Sequence, residues 1–149
     1  MTSGKVLSLY MTMPDMIRAG HRMKVEDIEI DENGIMGSRD YEDGTERPLV
    51  LLSKKSYDII EEAELAFEKG LLMEDIYVDI DLYKLQPGSI VEIGEMAFEV
   101  KSLCEDYRYL YAIAPELPDL IRGQRGLFVT PIAYGRIEVG DEVNILKEA

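Results

Sequence analysis

The chain has 149 residues, 46% of them hydrophobic, with 30 acidic against 16 basic side chains and a formal net charge of -14; its pI is near 4.4. That length and apolar content suit a single domain over 1–149 with one core, and the acidity argues against nucleic acid as a partner, because it would repel a phosphate backbone. The only cysteine, Cys104, rules out an internal disulfide and a cysteine-based structural zinc site.

In chain order, the opening M-T-S-G-K-V-L-S-L-Y-M-T-M-P-D holds a short apolar run broken by polar residues and then by Pro14. It reads as neither a signal peptide nor a membrane span, so no membrane association is expected and a reducing cytoplasm is the expected compartment. Val6 to Tyr10 and Lys24 to Ile30 read as strands, the second running into a turn at Asp31 to Gly34. Met11, Met13 and Met16 read as core or loop filler, and His21 as a solvent-facing loop residue. Glu42 and Asp43 of Y-E-D-G read as a polar turn.

Pro48 to Leu52 is a continuous apolar run, as expected of a strand buried on both faces. Ser53 is then a candidate N-cap. Tyr57, Ile60, Ala63 or Glu64, and Phe67 recur at helical spacing, with Glu61, Glu62, Glu64 and Glu68 on the solvated face and Gly70 as the stop. The expectation is one amphipathic helix around residues 54–69.

The period then returns to two. Ile76, Val78 and Ile80 alternate with Tyr77, Asp79 and Asp81 as in a half-buried strand, and L-Q-P-G turns the chain at Leu85 to Gly88. Ile90 to Ile93 and Met96 to Val100 form a hairpin about Gly94. Tyr107 to Ala114 is compatible with helix or strand and is bounded by Pro115 and Pro118. Leu127 to Pro131 and Gly135 to Ile145 read as two strands joined near Tyr134. Many short strands, glycine-rich turns and one helix make the fold mainly β, a closed or nearly closed barrel with helical decoration.

Cys104 and the arginines Arg122 and Arg125, set among Gly123 and Gly126, fall between strand-bearing segments, where loops gather at one end of a barrel. A nearby guanidinium lowers a thiol pKa and favours the thiolate that ligates soft metals or carries a persulfide. Planar guanidinium groups also bind phosphate bidentately. Glu105 and Asp106 oppose the first effect, because adjacent carboxylates raise a thiol pKa. Against these readings, a lone cysteine at a strand end is often a small buried hydrophobe, and surface arginines often neutralise carboxylates.

The order of landmarks resembles the MOSC domain: G-K-V-L-S-L-Y, G-I-M-G-S-R-D-Y-E-D-G, R-P-L-V-L-L, M-E-D-I, D-L-Y-K-L-Q-P-G-S-I-V-E-I-G, the Cys104 segment, R-G-L-F and G-R-I-E-V-G-D-E-V. The resemblance implies a MOSC-type β-barrel and a role in molybdenum cofactor (molybdopterin) binding or sulfur carriage. Cys104 would be the molybdenum ligand or persulfide carrier. Arg47, Arg108, Arg122, Arg125 and Gly126 would be cofactor-binding residues, and Glu74 with Asp75 would match an acidic-amide pair. A molybdoenzyme or a cofactor-biosynthesis protein is the implied partner. The chain departs from the family pattern in three places: Gly37, Ser38, Arg39 and Asp40 stand where a histidine commonly follows Gly-Asp, Asp75 replaces an asparagine, and a second cysteine is absent. Cys104 can therefore match either cysteine of the family pair. The alternative reading is a non-catalytic MOSC-like module whose acidic surface recognises a protein partner.

Overall fold

The computed structural model describes residues 3–11, 23–38, 49–65, 67, 69, 70, 72–104 and 108–149. Along them run β1 Ser3–Met11, β2 Met23–Val25, β3 Asp27–Asp31, β4 Gly34–Ile35, β5 Leu49–Ser53, α1 Lys54–Glu62, β6 Ile76–Val78, β7 Ile90–Ile93, β8 Met96–Leu103, α2 Arg108–Ile113, α3 Leu117–Leu120, β9 Leu127–Ala133, β10 Gly135–Glu138 and β11 Glu142–Lys147. No described helix is long and apolar enough to cross a membrane.

Seven strands close into a barrel in the order β1-β11-β7-β8-β9-β5-β6, and β6 returns to β1. Closure joins Gly4 to Val143 and leaves no long open edge in the ring. Gly4 is required at that seam, since a Cβ there would stand 2.5 Å from Asp79 Oδ1 and 2.7 Å from Ile80 Cβ. β2 extends the sheet beside β1, and β3, β4 and β10 form a separate three-stranded sheet. The segment from Gly135 to Ile145 is thus two strands, with β10 leaving the barrel to pair with β3 through Gly135↔Ile30 and Ile137↔Ile28.

Alternation in the strands fills the barrel with Leu51, Ile76, Val78, Val91, Ile93, Phe98 and Val129, all buried. A second apolar layer lies outside the wall. There Tyr10 of β1, Leu52 of β5 and Tyr77 of β6 meet Tyr57 and Ile60 of α1 and Leu110, Leu117 and Ile121 of the α2–α3 segment. β5 is therefore buried on both faces, as its unbroken apolar run requires. β6 is buried on both faces as well, with Tyr77 covered by Tyr57 at a ring distance of 5.5 Å, so the half-buried expectation is corrected.

The helix expected over 54–69 ends at Glu62. Glu61 and Glu62 fall in its last turn, with no basic residue there to complement the negative end of the helix dipole. Glu64 takes a φ of 58° and reverses the chain. Phe67 then folds back to stack on Tyr57 at 5.2 Å, and Gly70 N–H donates to Tyr57 Oη at 3.0 Å. Ser53 holds the N-cap position, but its Oγ accepts the Leu82 N–H at 3.1 Å instead of capping the helix.

Candidate functional site

β8 and β9 pair antiparallel down to Leu103↔Leu127, and helices α2 and α3 are inserted between them. That pairing sets the residue after β8 opposite the residue before β9: the Cys104 N–H donates to the Gly126 carbonyl at 2.8 Å. The register shifts between Val100 and Ser102, a bulge that re-aims the end of β8. Gly126 has a φ of +137°, and a Cβ on it would lie 3.3 Å from Cys104 Sγ, 3.3 Å from Val50 Cγ1 and 3.4 Å from Leu52 Cδ1. Glycine thus lets the sulfur rest against the outer face of β5.

Among the described residues Arg125 is one of the largest fully buried side chains, 1% exposed, and Cys104 is 5% exposed. Burial pushes the Cys104 thiol up, the Arg125 guanidinium opposes this by charge and by hydrogen bonding, and the Asp75 carboxylate adds to the rise. The result is a thiol pushed up to about 11. Cys104 is a neutral thiol at neutral pH, and desolvation outweighs the arginine that the sequence reading expected to produce a thiolate.

The acidic pair of M-E-D-I is wholly buried and binds backbone. Asp75 Oδ2 accepts the Val50 N–H at 2.8 Å, while the Asp75 main chain bonds Val50 O and Tyr10 N. Asp75 so knits β5, β6 and β1 together, and its charge acts on the sulfur. Glu74 Oε2 accepts the Gly70 N–H at 3.1 Å, and burial with the nearby Glu74 charge raises the Tyr57 hydroxyl pKa.

A second polar group meets the site from α1. Ser53 N–H donates to Tyr83 Oη at 2.9 Å, Tyr83 Oη and Ser56 Oγ are hydrogen-bonded, and Ser56 Oγ donates to the Gln124 carbonyl. Burial raises the Tyr83 hydroxyl pKa, and negative charge on Cys104 would add to that rise. Sequence reading gave Ser53 only a capping role and assigned Ser56, Tyr83 and Gln124 none. The available signal was Ser56, a serine standing beside Tyr57 and one turn before Ile60 on the buried face of α1.

Of the residues singled out from sequence, the structure brings Cys104, Arg125 and Gly126 together. Arg122 is not brought to the sulfur: its side chain is 67% exposed and is ion-paired with Asp119, one helical turn earlier. Arg47, Glu105 and Asp106 lie outside the described residues, as do His21, Glu42, Asp43, Met13 and Met16, and the side chain of Arg108 lies outside them too. Met11 is buried in the barrel core. Among the described residues no group of three histidine, cysteine or carboxylate side chains could hold a metal ion.

No protein-family model matches the chain, and no curated protein matches it significantly. Solved structures do. The YuaD protein from Bacillus subtilis superposes with a TM-score of 0.74 at 16% identity, over 95% of this chain and 94% of that one. YiiM from Geobacillus stearothermophilus gives 0.73 at 15%, over 97% and 75%. YiiM from Escherichia coli gives 0.67 at 18%, over 97% and 71%. At these identities the likeness is one of fold, and the barrel described here is the fold these proteins share.

Proposed function

We propose that this MOSC-like barrel is a sulfur carrier, with Cys104 as the carrying atom and Arg125 as the group that stabilises negative charge on the carried sulfur. The shared fold with YuaD and YiiM supports the MOSC-like reading. The observation that carries the sulfur assignment is one thiol and one guanidinium buried together, with Gly126 leaving the space between β5 and the loop. The sulfur lies in the field of both the Arg125 guanidinium and the Asp75 carboxylate, and ionisation of a carried sulfur would add a negative charge that the guanidinium offsets. A persulfide is more acidic than the thiol that bears it. Loading follows a balanced exchange: Cys104 sulfur attacks the outer sulfur of a donor persulfide, the new S–S bond forms as the donor's breaks, and the donor leaves as a thiol carrying the proton that Cys104 gave up. Unloading to an acceptor thiol is the reverse, with no net oxidation.

Molybdenum cofactor binding is the second reading, favoured by the same sulfur and by Arg125 as one phosphate-capable group. The described residues fit a compact sulfur-borne anion better than a pterin, since Cys104 and Arg125 are closed over and Arg122 faces solvent. Arg47 and Arg108 would have to supply the remaining phosphate anchors, so no step is derived through the cofactor. In either reading the partner is a molybdoenzyme or a cofactor-biosynthesis protein.

The test is cyanide-labile sulfur per chain, with bound molybdenum and pterin fluorescence, on protein purified from cells that make the cofactor. Wild type is expected to release thiocyanate and Cys104→Ser to release none. Equal, negligible release from both eliminates sulfur carriage, and molybdenum with pterin retained only by the wild type would establish the second reading.

A further inference from the structure

The hydrogen bonds around Tyr83 have only one consistent direction. A carbonyl can only accept, so the single Ser56 hydroxyl proton is spent on the Gln124 oxygen. The bond between Ser56 and Tyr83 must then be donated by Tyr83, whose oxygen accepts the Ser53 N–H. The chain of donors runs Ser53 N–H, Tyr83 O–H, Ser56 O–H and ends at Gln124 C=O. On the far side of Arg125 the Gly126 carbonyl is taken by the Cys104 N–H. Both carbonyls flanking Arg125 are thereby fixed, one from α1 and one from the sulfur's own residue. Ser53 and Ser56 are fully buried, which closes the Ser56 hydroxyl to water, while Tyr83 and Gln124 are half-buried.

We infer that Tyr83 and Ser56 are positioning residues, a one-way hydrogen-bond relay that pins the Gln124 carbonyl and with it the main chain from which the buried Arg125 side chain departs. The inference rests on the reading above only in taking Cys104 and Arg125 as the working pair. The relay makes the site depend on α1 seating on the barrel, because Ser53 ends β5 and Ser56 lies in the first turn of the helix. Ser56→Ala removes the donor to Gln124, and Tyr83→Phe leaves Ser56 free to rotate away from it.

The experiment reads the Arg125 side-chain Nε–H resonance by NMR on the purified chain, with no sulfur loaded. Tyr83→Phe and Ser56→Ala are each expected to move that resonance toward those of exposed arginines and to speed its hydrogen exchange on the order of tenfold, the scale of the one hydrogen bond each variant takes from the main-chain anchor at Gln124. The double variant is expected to add nothing to either single, the mark of residues acting as one unit, and Ser56→Thr, which keeps the hydroxyl, to restore the signal. Tyr57→Phe breaks a different buried hydroxyl contact in the same layer and is expected to lower stability with the Arg125 resonance unmoved. Variants that melt earlier with an unchanged Arg125 resonance, or a double variant whose effects add, would overturn the inference. A failed thiocyanate assay leaves this test standing, and a failed relay leaves sulfur carriage standing.

Discussion

Replacing Cys104 by alanine should flatten part of the chain's loss of stability at alkaline pH. The thiol pKa rises from 9.0 to about 11 on folding because burial penalises the thiolate. Between those values the unfolded chain has released the proton and the folded chain still holds it, so stability falls as pH rises. The contribution is complete below about pH 9 and lost as pH passes 11. A separation of about two pH units, at about 1.36 kcal/mol each, amounts to roughly 2–3 kcal/mol. Tyr57, Tyr77 and Tyr83 have raised pKa values too and destabilise the fold in the same direction. Taking the difference between wild type and Cys104→Ala cancels their common part. Urea unfolding at a series of pH values from about 8 to about 11.5 supplies it. The variant is expected to start less stable through lost packing, and the gap should close by roughly 2–3 kcal/mol over the series. A gap that stays constant with pH would refute the reasoning, since it would mean that folding does not shift the thiol and that the sulfur is solvated.

Gly126→Ala should cost about 2–4 kcal/mol in chemical unfolding, combining a backbone conformation that L side chains rarely adopt with a methyl driven against Cys104, Val50 and Leu52; a stability within about 0.5 kcal/mol of wild type contradicts the geometry. Gly4→Ala should cost about 1–3 kcal/mol, because its methyl meets Asp79 and Ile80 at the closing seam and disturbs the Lys5 N–H bond to Asp79 Oδ1, and differential hydrogen exchange should place the loss at the β1–β6 and β1–β11 pairings.

The wall of the barrel was legible because period-two patterning and turn glycines are local. The β7–β8 hairpin about Gly94 and the doubly buried β5 follow from a few adjacent residues. The end of α1 was not legible, since Phe67 keeps helical spacing from Tyr57 yet reaches it by a folded-back loop. Nor was β10, whose partner Ile28 lies far away in the chain. Pro115 and Pro118 broke the period over the segment that forms α2 and α3. For the site, Cys104, Arg125 and Gly126 could be named individually from residue type. Their meeting depends on the β8–β9 register across an inserted helical segment, and the share of Ser56 and Tyr83 depends on where α1 is seated. Arg122, three residues before Arg125 and alike in type, faces solvent and pairs with Asp119, a difference that residue type does not reveal.

The neutral thiol and the buried arginine are two halves of one electrostatic argument. Desolvation acts on any sulfur anion placed at this position, and Arg125 offsets part of it, leaving the thiol about two pH units higher than its ordinary 9.0. If a similar net rise acts on another sulfur acid at the same place, that acid ionises at neutral pH when its intrinsic pKa lies below about 5. Under the proposed sulfur carriage, the resting thiol stays protonated, while a more acidic sulfur group attached to it would ionise with Arg125 nearby to offset the charge. A site built for a permanently reactive thiolate would not bury the sulfur at 5% exposure. Under the proposed sulfur carriage, stabilising the loaded over the unloaded sulfur would account for a buried thiol beside a buried guanidinium.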